Sequence, residues 1–131
     1  MTIAIRILAG LPGLVFILQG IQWLIDPGAV AKGLGIDLLT GSGASTQIGD
    51  LGSFFFFSGA LILAAQLPGK SRLFYPPACY IGGAAIFRTL AHLLGHADFA
   101  GQLIAAEIVI TVILLVAAKW LGDAERSAAT A

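Results

Sequence analysis

Charge is scarce in this sequence: seven Lys/Arg and seven Asp/Glu among 131 residues, 11% of the chain. Ordinary soluble domains carry about 25%. A soluble protein of this size could not cover its surface with so few charges, so lipid is the expected solvent. The two signs cancel and no basic cluster exists, which removes nucleic acid as a partner. Cysteine is limited to Cys79, which excludes a disulfide framework and a thiolate metal centre. A small packing residue is the role that fits it. The P-loop, the Rossmann glycine pattern and the nucleophile elbow are all absent. No motif therefore names a cofactor.

What fills the space is apolar. Hydrophobic residues make up 58% of the chain, and the mean hydropathy is +0.95. The length allows one domain. Four stretches match the ~30 Å hydrocarbon layer of a bilayer, at about residues 7–25, 46–67, 73–95 and 99–121. The first is too long for the ~7–15-residue apolar region of a signal peptide, and no Ala-x-Ala site follows it. It reads as a transmembrane helix. Asp26-Pro27 ends it, and Pro68-Gly69 ends the second. Pro76-Pro77 suits the opening turn of the third. Residues 122–131 form a polar tail, expected to fray.

The long connection, 27–45, carries a short helix opened by the Asp26 cap and Pro27. That helix lies along the interface or folds over the bundle mouth. Gly41-Ser42-Gly43 reads as a flexible approach to the second span. With four spans, Arg6, Lys70, Arg72, Lys119 and Arg126 share a side with both termini, against Lys32 alone opposite. The positive-inside rule then places both termini in the cytoplasm. The expected architecture is all-α: a transmembrane four-helix bundle, multi-pass in a bacterial inner membrane.

Two charges lie deep inside these spans, Arg88 in the third and Glu107 in the fourth. Only the His96–Asp98 turn separates the third stretch from the fourth, so the two helices run antiparallel as neighbours. At about 1.5 Å per residue, Arg88 lies roughly 10 Å and Glu107 roughly 13 Å from the turn. Opposite charges at matched depth predict a buried, inward-facing ion pair. Intramembrane ionisable residues mark functional sites by default. Other polar groups gather at the same end: Gln19 and Gln22 on the first helix, Asp50 on the second, His92 and His96 on the third. Thr111 shares a face with Glu107. Small residues at Ala78/Gly82, Ala91/Gly95 and Gly101/Ala105 would allow close helix approach there. The pattern predicts an outward-open polar pocket with Arg88 and Glu107 at its floor.

Plainer roles stand beside each of these. The ion pair can be a clamp that fixes helix register. Asp50 can complement the positive end of its own helix. Gln19, Gln22 and Trp23 fit interfacial anchoring, and Phe54–Phe57 fits lipid contact and core packing. The reading favoured is a pocket for a small or lipophilic molecule bound by Gln19, Gln22, Asp50, Arg88, His92 and Glu107. The chain would act alone, as a homo-oligomer or as an assembly subunit. The alternative is an enzyme doing acid–base chemistry, hydrolysis or isomerisation, on a lipophilic substrate with Asp50, Arg88 and Glu107. A metal held by His92 and His96, with Asp50 or Glu107 completing the set, is a further alternative. Proton or ion conduction finds few polar stepping stones in the inner halves of the helices.

Several short elements together carry a resemblance. Gly20, Asp26-Pro27 and Leu34-Gly35-Ile36 precede Asp50-Leu51-Gly52; Gly82-Gly83 with Arg88 follows, then Glu107. This resembles an uncharacterised family of small four-helix bacterial integral membrane proteins, DoxX-like in layout. The resemblance implies that fold and an acid–Arg–acid core at Asp50, Arg88 and Glu107, with no established activity. The family more often has glutamate at the position of Asp50, and His92 and His96 lie outside its pattern.

Overall fold

A computed structural model describes residues 2–130. Those residues form an all-helical protein. Its helices are α1 (Thr2–Ile25), α2 (Pro27–Gly33), α3 (Gly41–Ala64), α4 (Tyr75–Leu93) and α5 (Gly101–Ala129), with a 3-10 turn at Ser71–Phe74 leading into α4. Among the described residues three helices, α1, α3 and α5, are long and apolar enough to cross a membrane. In hydrocarbon only a helix satisfies its own backbone polar groups, which accounts for the near absence of irregular chain inside the apolar stretches. Arg88, His92 and the Pro76-Pro77 opening interrupt the apolar run of the fourth long helix, α4.

The helices pair as two antiparallel hairpins, α1 with α3 and α4 with α5. Hairpin one is welded by glycine. A Cβ on Gly59 would sit 2.5 Å from the Gly13 carbonyl oxygen and 2.7 Å from the Ile17 nitrogen; one on Gly20 would sit 2.6 Å from the Phe56 nitrogen. Only hydrogen at these positions lets the two backbones meet. The small pairs expected to do this elsewhere do less. Gly82 meets the Thr111 side chain, but Gly95 touches no neighbour and instead turns the chain after α4 with φ 73°.

The two hairpins join at the end of the bundle that holds the termini. Ala9, Ile62, Phe74, Ala78, Leu114 and Leu121 form a closed core there, with Phe16 and Ile81 at its far edge. Polar ties reinforce this end. Glu125 accepts from Ser71 Oγ at 2.7 Å and from the Gly69 amide at 3.0 Å, fastening the 3-10 turn to α5. Arg6 donates to the Gln66 carbonyl, and Gln66 Nε2 returns a bond to the Arg6 carbonyl at 3.2 Å. The polar tail expected to fray is therefore helical to Ala129. Glu125 fastens it, and Asp123 pairs with Arg126 one turn on.

At the opposite end the long connection folds over the bundle. Asp26 caps α2 by accepting from the Ala29 amide at 3.0 Å, with Pro27 at the first helical position. Val30 and Ala31 then pack on Trp23, which is fully buried. Trp23 is thus a core residue and not an interfacial anchor, because α2 covers it. The Gly41-Ser42-Gly43 segment is not a flexible approach but the first turn of α3. Gln47 explains the early start: its Oε1 accepts from the Leu39 amide and its Nε2 donates to the Asp37 carbonyl, both at 2.9 Å. One side chain thereby pins the covering segment to the helix beneath it.

Candidate functional site

Between the hairpins, beneath that covering segment, lies a cavity of about 590 Å³. Every long helix contributes to it: Phe16 and Gln19 from α1; Leu51, Phe54 and Phe55 from α3; Ile81, Ala84 and Arg88 from α4; Leu103, Ala106, Glu107 and Ile110 from α5. Leu34 and Ile36 of the long connection close part of one side. The volume falls within the ~300–1,000 Å³ of typical small-molecule sites. Its place follows from the core described above. The terminal half holds the buried core cluster, whereas in the other half α4 and α5 place the small Ala84 and Ala106 on the lining, side chains that fill little of the gap.

Arg88 and Glu107 meet on the cavity wall. Arg88 Nε donates to Glu107 Oε1 at 2.9 Å. The matched depths counted from the turn are thus realised as contact. The expectation of a buried pair needs correction, however: the Glu107 side chain is 16% exposed but that of Arg88 is 41% exposed. The carboxylate is set into the wall and the guanidinium lies open. Glu107 Oε2 is buried and has no hydrogen-bond partner among the described residues. Gln19, on the other hairpin, is the third polar residue of the lining.

The remaining sequence-predicted residues are not brought to this cavity. Asp50 is exposed; among the described residues its carboxylate makes no hydrogen bond, and its backbone carbonyl accepts from Ser53 Oγ at 3.2 Å. Leu51 is the outermost α3 residue on the wall, and Asp50 lies beyond it. Because α3 begins at Gly41, Asp50 also sits past the first turn, where the helix dipole has little effect. Gln22 is exposed and lies in a shallow groove against Ala29 and Gly33 of α2. His92 is used in the α4–α5 turn, with Nδ1 3.2 Å from the Ala97 carbonyl oxygen and its ring 5.3 Å from that of Phe99. His96 lies in a shallow depression with Asp98. Among the described residues no three His, Cys, Asp or Glu side chains come together as metal ligands. The histidine pair therefore lacks the third ligand that Asp50 or Glu107 was expected to supply. Thr111 faces a separate groove between α4 and α5, away from the cavity.

The polar pocket expected from the sequence is thus an apolar cavity with one polar wall. Sequence reasoning missed most of its lining. Phe54 and Phe55 belong to it, whereas Phe56 and Phe57 are exposed on the outside of the bundle. Phe55 packs edge-on against Phe16, ring centres 5.3 Å apart, and against Phe54 at 5.2 Å. The i, i+3, i+4 spacing of Leu51, Phe54 and Phe55 was the available signal. Helical periodicity alone does not say whether such a stripe meets another side chain or a void.

Fold and site together define a helical membrane protein with an internal cavity. No protein-family model, curated protein or solved structure matches the chain. The functional reading therefore rests on the cavity itself.

Proposed function

We propose that this chain is a four-span membrane protein that binds a lipophilic small molecule in the cavity between its hairpins. The observation that carries the reading is a lining apolar on almost every side, with Arg88, Glu107 and Gln19 as its polar groups. Ligand sites are commonly built this way, from apolar walls with a few placed polar groups. In this reading α4 is the fourth span: its 19 residues reach roughly 28 Å at about 1.5 Å per residue, close to the ~30 Å hydrocarbon layer. In this reading the positive-inside rule makes the side with Arg6, Lys70, Arg72, Lys119 and Arg126 the cytoplasmic face of a bacterial inner membrane, with the cavity in the outer half. The layout fits the DoxX-like proteins, and a homo-oligomer or a larger assembly is compatible with it. The acid–base enzyme finds less support, since Asp50 lies off the cavity and Glu107 stands without a second carboxylate.

Two results check this. In a Cys79→Ser background, Asp98→Cys in intact cells should react with a membrane-impermeant maleimide, and Thr130→Cys only after lysis. Labelling of both from one side would remove the four-span topology. Ala84→Phe should fill the cavity and leave the helical spectrum unchanged. Native mass spectrometry from mild detergent should then show a co-purifying molecule on the wild type and at least tenfold less on the variant. Equal occupancy of the two proteins, or a wild type with nothing bound, would overturn the binding reading.

A further inference from the structure

The face of the α4–α5 hairpin turned away from the cavity carries a basic pocket and an apolar groove in line. At the end that holds the termini, a pocket of about 400 Å³ is lined by Arg72 and Tyr75 on one side and by Lys119, Gly122, Glu125 and Arg126 of α5 on the other. Its floor is fixed, because Ser71 is buried and the two oxygens of Glu125 accept from Ser71 Oγ and the Gly69 amide. Gly122 keeps the space open: a Cβ there would sit 3.3 Å from Ser71 Oγ and 3.9 Å from Arg126 Nη1. Three cations thus line the pocket beside one carboxylate, and that carboxylate is engaged by neutral donors. Arg126 pairs with Asp123, whereas Arg72 and Lys119 form no salt bridge among the described residues.

The same helical faces continue from this pocket into the apolar groove. On α5, Ile104, Ile108, Thr111, Leu115, Lys119, Gly122 and Arg126 follow one another at intervals of three and four residues, and on α4 so do Gly82, Ile86 and Thr89, with Tyr75 two turns earlier. Ile86, Ile108 and Val112 are exposed and help to line a groove of about 420 Å³ between the two helices. At about 1.5 Å per residue, Val112 lies roughly 10 Å and Ile108 roughly 16 Å along α5 from Lys119. One leaflet contributes ~15 Å of the ~30 Å hydrocarbon layer, so the groove is within reach of a chain whose head is at Lys119. A free anion would leave the groove unused, and a hydrocarbon chain would leave the cations unanswered. A phospholipid meets both, since guanidinium and ammonium groups bind phosphate oxygens and basic pockets at the cytoplasmic ends of membrane helices take anionic head groups. A zwitterionic head would bring its own ammonium against the same cations. We propose that this crevice binds a phospholipid of net negative charge, its phosphate held by Arg72, Lys119 and Arg126 and one acyl chain lying along Ile86, Ile108 and Val112. The inference rests on α4 and α5 both crossing the membrane and is independent of what the cavity holds.

The test is native mass spectrometry of the full-length protein in mild detergent, with dioleoyl phosphatidylglycerol or dioleoyl phosphatidylcholine added at equal concentration. Phosphatidylglycerol adducts are expected to exceed phosphatidylcholine adducts at least fivefold. Lys119→Gln should bring that ratio to within twofold of unity. Lys70→Gln removes the same charge from the same end but outside the pocket, and should leave the ratio unchanged. Ile108→Trp fills the groove and should lower the adducts of both lipids. Lys70, Ile108 and Lys119 are all exposed, so none of these variants disturbs the core. Equal binding of the two lipids by the wild type would overturn the site even if a variant failed to fold. Equal losses in Lys119→Gln and Lys70→Gln would replace it with a diffuse surface field. Displacement of phosphatidylglycerol by an equal concentration of inorganic phosphate would make it a free-anion site, and a dimer in place of lipid adducts would assign the groove to a second copy of the chain. The maleimide labelling of Asp98→Cys and Thr130→Cys tests the topology separately, so a missing lipid preference with that topology intact counts against this site alone.

Discussion

Arg88→Met alone is expected to destabilise the protein by about 3 kcal/mol, the lower end of the penalty for stranding one partner of a buried ion pair, because the Glu107 carboxylate is set into the wall while the Arg88 side chain is open. The loss should show as a lowered midpoint of thermal unfolding in detergent. Glu107 is the partner set into the wall, so it suffers the stranding; among the described residues its Oε2 already lacks a donor, and Oε1 would lose its side-chain partner. The double replacement Arg88→Met with Glu107→Leu should recover most of that stability, because matched apolar side chains of similar volume often replace a covered pair at little cost. It should nonetheless reduce co-purification of the molecule bound in the cavity. Recovery of stability with loss of ligand separates a binding pair from a clamp. A double variant no more stable than Arg88→Met would sink this account of the pair.

Gly59→Ala should be nearly as damaging, at about 3 kcal/mol, the upper end for overpacking. The new methyl would stand 2.5 Å from a backbone oxygen and 2.7 Å from a backbone nitrogen of α1. A flexible side chain could swing aside; a helix backbone cannot, so the hairpin must open. Gly83→Ala supplies the control. It too is a glycine inside a helix, but a Cβ there meets nothing within 4 Å. The higher helix propensity of alanine should make that variant neutral or more stable by up to about 1 kcal/mol. Opposite signs from the same chemical change are the expected result in thermal unfolding. Equal effects at the two positions would show that the α1–α3 backbone contact does not limit the packing.

These two sites also show what the sequence made legible. Arg88 and Glu107 could be paired in advance because a short turn fixes the register of an antiparallel hairpin, and depth then follows by counting. The same counting puts Asp50 at that end, but it belongs to the other hairpin. No turn sets the rotation of one hairpin against the other, and that rotation leaves Asp50 exposed. Trp23 shows the same limit: its position at a helix end was readable, whereas the return of α2 across it was not. The helical start at Gly41 was hidden by a Gly-Ser-Gly segment of loop composition, which Gln47 overrides with two bonds to the preceding chain. The helical tail depends on Glu125 reaching Gly69 and Ser71, a contact across more than fifty residues that local propensity does not contain. Boundaries set by proline, at Asp26-Pro27 and Pro76-Pro77, agreed well because proline acts on its own residue.

The closed core and the cavity occupy opposite halves of the bundle and meet along a shared boundary. Ile62, Leu114 and Leu121 belong to the core; Ala84, Leu103 and Ala106 line the cavity without packing on that core. Phe16 and Ile81 belong to both, and Phe54, Phe55 and Ile110 line the cavity while packing against the core. Substitutions at Ala84, Leu103 or Ala106 can therefore reshape what the cavity accepts while the folding core stays intact, whereas changes at any of the five shared residues alter both together. Such a bundle can diversify its ligands over evolution through a few small and aliphatic positions, with those five residues as the seam that cannot drift freely.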